Sequence, residues 1–128
     1  MNAAATEQPQ PVSQQESEEV LPWVLKLLLD NGRHALADDL LERARMGEER
    51  YGTPLMSHNG RSAVMDLYQE LLDALMYLAQ YQMETNRSDR DIVEKWVELK
   101  SVAIWVKENL VAEAEKKAVE RSEGTTVR

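Results

Sequence analysis

The segment from Val64 to Ala79 has its apolar residues at the spacing of an α-helix, and it constrains the fold more than any other part of the chain. The apolar side chains recur at intervals of three and four residues and form two rows on the helix surface. The first row is Val64, Leu67, Leu71, Leu75 and Leu78, and the second is Met65, Tyr68, Leu72, Met76 and Ala79. A helix that is apolar on both flanks is expected to pack on both sides, which predicts an all-α helical bundle.

Acidic side chains lie between the two apolar rows of this helix. Asp66, Glu70, Asp73 and Tyr77 follow one another at intervals of four, three and four residues, so they share one line along the helix. Carboxylates at this spacing repel one another, and a desolvated carboxylate is costly unless a cation offsets its charge. We therefore expect these acids to point into protein or into a cleft that holds a divalent metal ion. Asp66 is a further candidate residue of that site.

Four helical segments are predicted between two disordered tails. The tails are expected at residues 1–16 and 122–128, where few large apolar groups are available to offset the entropy of ordering. Residues 17–121 are expected to form a single all-α domain, because the strand signal is weak throughout. The helices are expected at about residues 19–30, 34–49, 62–84 and from 88 to beyond 113.

The fourth predicted helix has a capping signal and two apolar rows. Ser88-Asp89-Arg90-Asp91 is typical of a capping box that begins at Ser88, with Asp in place of the usual Glu. The first row is Ile92, Trp96, Leu99, Ala103, Val106 and Leu110, and the second is Val97, Ile104, Val111 and Ala118. So wide a stripe exceeds what one small domain needs, so we expect part of it to meet another subunit.

Composition excludes several classes of function. The 128-residue chain has no cysteine, which excludes disulfides, a thiolate nucleophile and a cysteine zinc site. Its net charge of −8 argues against sequence-independent binding to duplex nucleic acid, which relies on clustered Lys and Arg. No segment approaches a membrane span and no leader-like segment is evident, so we expect a cytoplasmic protein without membrane contact.

The second predicted helix contributes a further set of acids. Asp38 and Asp39 precede Glu42 by four and three residues and share its face. The third helix repeats this spacing with Glu70 and Asp73. If the two helices pack antiparallel across the ten-residue loop, the two acidic sets face each other and form an oxygen cage suited to Mg²⁺ or Mn²⁺. The alternative for the second helix is a charged outer face in contact with water.

The loop between the acidic helices and its flanks supply candidate ligand-binding residues. Arg61 follows a glycine at a helix start, where it would meet a phosphate together with free backbone N–H groups, or would pair with a nearby acid. Asn59 and the glycine after it indicate a turn. Tyr51 and Tyr77 have rings that would stack on a base, although such tyrosines more often lie in a core. His58 is a further candidate.

A two-part acidic pattern resembles the signature of the MazG-like all-α nucleotide pyrophosphohydrolases. That signature reads E-E-x-x-E, followed by E-x-x-D on the next helix. The matching segments are Asp38-Asp39-Leu40-Leu41-Glu42 and Glu70-Leu71-Leu72-Asp73. The stretches at 50–55, 58–61 and 66–73 also look like small MazG-like proteins of bacteriophages and their hosts. The resemblance covers about residues 34–82.

The resemblance implies an activity and a role for each acid. MazG-like enzymes use Mg²⁺ to cleave a nucleoside triphosphate between its α- and β-phosphates, releasing a monophosphate and pyrophosphate. By residue-to-residue correspondence, Asp38 would act on the attacking water. The implied metal ligands are Asp39, Glu42, Glu70 and Asp73. Because two family glutamates are aspartates here, Glu49, which lies on nearly the same face as Glu42, is an alternative ligand.

Three functions stay open at this point. The first is a nucleoside triphosphate pyrophosphohydrolase that acts as a homodimer or homotetramer and controls the nucleotide pool, in the host cytoplasm if phage-encoded. The second is a protein that sequesters a nucleotide without cleaving it, which the shortened acids and the lack of a basic cluster near the chain end favour. The third is a structural helical adaptor, which the wide apolar fourth helix favours.

Overall fold

Residues 16–126 are described by a computed structural model, and this part of the chain folds into four helices. The prediction of an all-α fold of about four helices is confirmed. No helix within the described range combines the length and apolar character needed to cross a membrane. The helices are α1 (Leu21–Asp30), α2 (His34–Tyr51), α3 (Ala63–Thr85) and α4 (Arg90–Thr126).

Two compact units can be distinguished in the chain by their internal contacts, and the single domain expected over residues 17–121 stays a prediction. The first unit ends at Arg61 and contains α1 and α2, and the second begins at Ser62 and contains α3 and α4. In each unit the two helices pack against each other. The two acid sets of the predicted site therefore belong to different units.

In the first unit a tight turn joins α1 to α2. The Gly32 N–H donates to the Leu29 carbonyl at 3.0 Å, and the Arg33 N–H donates to the Leu28 carbonyl at 2.8 Å. This is the Schellman pattern of a helix end, and it needs the left-handed backbone that Gly32 adopts at φ 73°. Ala37 follows on α2 and is buried, with 3% of its surface exposed.

The segment after α2 pairs with the residues that precede α1. The Val20 N–H donates to the Leu55 carbonyl at 3.0 Å, and the Ser57 N–H donates to the Glu18 carbonyl at 2.7 Å. Glu19 and Met56 form an antiparallel bridge between these bonds. The first helix was expected to begin at residue 19, but extended pairing with the loop takes up that position and α1 begins at Leu21.

In the second unit each helix begins at a capped residue. The Ser62 hydroxyl accepts a hydrogen bond from the Met65 N–H at 3.1 Å. At the start of α4, an Asp89 carboxylate oxygen accepts from the Ile92 N–H at 3.1 Å. The prediction of Ser88 as the capping residue is therefore wrong by one position, because a charged Asp89 is the stronger acceptor and is held by Arg87.

The tight connection between α3 and α4 is fixed by Gln82. Its side-chain oxygen accepts from the Trp96 indole N–H at 2.7 Å, and its amide nitrogen donates to the Arg87 carbonyl at 2.9 Å. Below this junction the first apolar row of α4 supplies the core, with Ile92, Ala103 and Val106 buried. Val106 is fully buried, at 0% exposure.

The structure describes the two predicted tails to different extents. The N-terminal tail expected at 1–16 lies outside the described residues except for its last position. At the other end α4 continues to Thr126, through most of the segment expected to be disordered at 122–128, and positions 127 and 128 lie outside the described range. The reason is that a helix already formed extends without a new nucleation cost, and the residues just before this segment, 112–121, are mostly Ala, Glu, Lys and Arg, which favour helix.

Candidate functional site

The acids of the first unit lie on one side of α2 and face solvent. Asp38, Asp39 and Glu42 are all exposed, and their spacing places them within about one helical turn of each other. Asp38 and Glu42 also border a surface hollow of about 410 Å³ beside α2. Leu21 of α1 and Arg45 line the same hollow. This side of the unit thus combines carboxylates, one guanidinium and an apolar edge.

Arg45 joins two of the acids proposed as metal ligands, and it was not among the predicted site residues. Its Nε and Nη2 atoms donate to the two carboxylate oxygens of Glu42 at 3.2 and 2.5 Å. Its Nη1 atom donates to Glu49 at 2.5 Å. The spacing of Arg45, three residues after Glu42 and four before Glu49, is the sequence signal that would have revealed it.

The guanidinium of Arg45 changes the chemistry of Glu42. The hydrogen bonds and charge of Arg45 lower the pKa of Glu42 below its ordinary value, and the same contacts raise the pKa of Arg45. Glu42 is therefore held in its ionised form, which is the form that binds a cation. Any metal ion bound by Glu42 would share it with Arg45 or displace the guanidinium.

The acids of the second unit, Glu70 and Asp73, lie one turn apart on α3 and are exposed. Tyr77, one turn further on, is 68% exposed. Asp66, at the start of the line, is half-buried. Glu70 and Asp73 thus reach water in this structure, and the expectation that the acids point into protein or into a metal-binding cleft stays a prediction.

Within the second unit, the side of α3 that contains Leu71, Leu75 and Leu78 is more buried than the side that contains Leu72 and Met76. Leu71, Leu75 and Leu78 of the first row are half-buried in the unit. Leu72 and Met76 of the second row are 42% and 73% exposed. α3 packs on α4, and one neighbouring helix covers a single face of another.

The loop residues take positions that favour a turn. Asn59 is half-buried, and its side-chain oxygen accepts from the Arg61 N–H at 3.0 Å, as in an Asx turn. His58 is exposed and has a left-handed backbone at φ 52°. Arg61 is exposed at the end of the unit. Tyr51 is half-buried, and the Arg50 guanidinium lies 5.5 Å from the centre of its ring.

Each unit thus contains one of the two predicted acid pairs, with both carboxylates exposed and three residues apart. Asp39 and Glu42 form the pair of the first unit, and Glu70 and Asp73 form the pair of the second. Over residues 16–126 the structure contains no group of three or more His, Asp or Glu side chains arranged to hold a metal ion. Convergence of the two pairs on one cation stays a prediction.

Comparison of the chain with protein-family models, with curated proteins and with solved structures finds no match. The resemblance to the MazG-like pyrophosphohydrolases consequently rests on the acidic motifs and the loop residues quoted above. It enters the functional argument as a proposal.

Proposed function

We propose that this protein is a Mg²⁺-dependent nucleoside triphosphate pyrophosphohydrolase, which converts an NTP or dNTP to its monophosphate and pyrophosphate. The observation that carries the proposal is the repeated acid pair, Asp39 with Glu42 on α2 and Glu70 with Asp73 on α3. Both pairs lie on regular helix, have the same spacing and are open to solvent. Repetition on consecutive helices is the pattern of the MazG-like signature.

The donor set fits a hard divalent cation. All four candidate ligands are carboxylates, which Mg²⁺ and Mn²⁺ prefer. When bound, the ion would neutralise phosphate charge and lower the pKa of a coordinated water. Asp39, Glu42, Glu70 and Asp73 would hold it, with Glu49 as the alternative on α2.

Residues beside the acid pairs have complementary tasks in the proposal. Asp38 borders the hollow and would accept the proton of the attacking water. Arg61 would contact a phosphate oxygen, and the rings of Tyr51 and Tyr77 would contact the base. Tyr77 supports this role best because two thirds of its surface is exposed. Asn59 and His58 would shape the loop around the ligand.

The proposed setting is control of the nucleotide pool in the cytoplasm, by a homodimer or homotetramer. A nucleotide that arrives with its own metal ion is compatible with the net charge of −8. The acidic surface would disfavour duplex nucleic acid as a competing ligand.

The decisive assay measures pyrophosphate release from a panel of NTPs and dNTPs with Mg²⁺. Glu70→Gln and Asp73→Asn are each expected to lower kcat/KM by more than about 100-fold, since even partners of metal ligands contribute 10- to 100-fold. Glu84→Gln is the matched control, because Glu84 is an exposed acid near the end of the same helix. Absence of pyrophosphate from every substrate would refute the enzymatic proposal.

A second candidate function, sequestration of an intact nucleotide, is favoured by one observation. Arg45 already neutralises part of the charge of Glu42 and Glu49, which lowers the need for a metal ion at α2. Recovery of an unhydrolysed nucleotide from denatured protein would support this function, and turnover in the assay above would exclude it as the main role.

A third candidate, a structural helical adaptor, is favoured by the exposed apolar residues of α4. Val97 and Ile104 are more than half exposed although they lie in an apolar row. Calorimetric titration without Mg²⁺ or Mn²⁺ binding, together with unchanged behaviour of Glu70→Gln, would support the adaptor over both nucleotide-based functions.

A further inference from the structure

The second apolar row of α4, Val97, Ile104, Val111 and Ala118, is exposed along its whole length. Val97 is 55% exposed, Ile104 is 51% exposed and Val111 is 44% exposed. These side chains lie about 100° around the helix from the buried row that contains Val106. An exposed apolar row at strict heptad spacing supplies one of the two apolar heptad positions through which helices pair in coiled coils.

α4 is also much longer than the helix it packs against. Its 37 residues span about 56 Å, whereas the 23 residues of α3 span about 35 Å. Every residue from 111 to 124 is exposed. A helical extension without tertiary contacts is marginally stable in water, so this part of α4 gains from a partner that runs along the row.

The residues that border the row carry opposite charges on its two sides. Positions three residues after each row member form a basic flank, and positions four residues after form an acidic flank. The basic flank is Lys100, Lys107, Ala114 and Arg121, and the acidic flank is Ser101, Glu108, Glu115 and Ser122. The ammonium group of Lys107 also lies 5.5 Å from the centre of the Tyr68 ring, so this part of the basic flank borders α3.

This arrangement of charges favours a second copy of the same helix as the partner, packed parallel to the first. When two copies of one helix pack in parallel about a two-fold axis, the basic flank of each copy faces the acidic flank of the other. Antiparallel packing brings each flank against its own kind, which is repulsive. Lys107 and Glu108 lie at nearly the same height, so parallel packing forms this contact twice.

Length supports the same partner. The row from Val97 to Ala118 spans about 32 Å, whereas α1 and α2 span about 15 and 27 Å and are too short to cover it, and α3, at about 35 Å, already packs on α4 within the unit. A second α4 matches the full row. We infer that the second apolar row of α4 binds a second copy of this chain, with the two α4 helices parallel. The inference does not depend on the pyrophosphohydrolase activity.

Cysteine scanning tests the inference directly, because the chain contains no cysteine of its own. In a parallel pair equivalent positions lie opposite each other, so the single variants Val97→Cys, Ile104→Cys and Val111→Cys are each expected to form disulfide-linked dimers under mild oxidation. Val102→Cys is the matched control, since Val102 is a 44% exposed valine on another face of α4. It is expected to remain uncrosslinked.

Charge exchange measured by sedimentation equilibrium provides the second test. Lys107→Glu and Glu108→Lys are each expected to raise the dimer Kd at least about tenfold, and the double variant is expected to restore it. A monomeric wild-type chain, crosslinking at a single row position, or crosslinking of Val102→Cys as efficient as that of the row would each overturn the inference. Failure of the double variant to restore the dimer would overturn the parallel direction.

Discussion

The two units are both pairs of packed helices, yet they bury very different amounts of apolar surface. In the second unit α4 buries Ile92, Ala103 and Val106. In the described part of the first unit Ala37 is the sole buried residue, and Trp23 and Leu36 are 73% and 56% exposed. Two long helices at heptad spacing form a continuous core, whereas two short helices leave much of their leucine content in water.

The units also differ in how their helix ends and ion pairs are used. α3 begins with a side-chain cap, and a carboxylate caps the start of α4, whereas the starts of α1 and α2 have no side-chain cap. In the second unit Arg87 orders the capping carboxylate of Asp89. In the first unit Arg45 instead binds acids of the candidate site. Arg87 of the second unit thus helps to fix a helix start, whereas Arg45 of the first unit lies among candidate site acids.

The largest effect is expected from truncation of the core of the second unit. Val106→Ala removes two buried methyl groups and leaves a cavity, so it should lower the free energy of unfolding by about 2 kcal/mol. Urea unfolding followed by circular dichroism measures the change. Val102→Ala, at a 44% exposed position of the same helix, is the control and should cost under about 0.5 kcal/mol. Equal costs would show that α4 buries a different face.

A smaller effect is expected at the junction of α3 and α4. Gln82→Leu keeps the apolar stem but removes the hydrogen bonds to the Trp96 indole and the Arg87 carbonyl. Loss of two part-buried hydrogen bonds should cost about 1–2 kcal/mol, measured by urea unfolding with tryptophan fluorescence. Gln80→Leu, at an exposed position two residues earlier, should have little effect. If Gln82→Leu left the free energy of unfolding unchanged, the hydrogen bonds at this junction would not contribute to stability.

The next effect, a loss of about 1 kcal/mol of stability, is expected from removal of the side-chain cap of α3, a feature that the helices of the first unit lack. Ser62→Ala leaves the Met65 N–H without its acceptor, which should destabilise the second unit by about that amount. Thermal unfolding checks the change. Ser101→Ala, an exposed mid-helix serine of α4, should be neutral or slightly stabilising because alanine is the better helix former.

The smallest expected effect is the pH dependence that Asp89 confers. Hydrogen bonds from Arg87 and the Ile92 N–H lower the pKa of Asp89 from 3.8 to about 2. Because the folded-state pKa is depressed, the stabilisation is present above pH 3.8 and is lost as the pH falls towards 2. Asp89→Asn should therefore lower Tm at pH 7 and lower it by less at pH 2. A difference between the two proteins that is independent of pH would contradict this.

Much of the fold could be predicted because helix formation is local. The spacing of apolar residues located all four helices, and Ser62 and the turn at Gly32 closely marked two of their ends. The errors occurred where distant or competing groups decide. Glu19 pairs with Met56 instead of extending α1, and Asp89 takes the capping position from Ser88 because Arg87 supports it.

The sequence predicted which residues belong to the candidate site, but it did not predict how exposed they are or which side chains they contact. Asp39, Glu42, Glu70 and Asp73 lie on helices at the expected spacing. The exposure of Glu70 and Asp73 on α3 was not predicted, because two apolar rows in a sequence do not show how much of each row a neighbouring helix covers. Arg45 was not predicted, because a spacing of three or four residues allows an ion pair without requiring it.

The sequence by itself determined the helices, the acid pairs and the apolar rows, since periodicity depends on the 3.6-residue repeat of one helix. Only the tertiary structure decided which row of α4 is buried and which stays exposed. It likewise decided that Gln82 joins α3 to α4. These outcomes depend on which groups meet, and a buried row or a satisfied hydrogen bond exists only once a specific partner occupies the adjacent space.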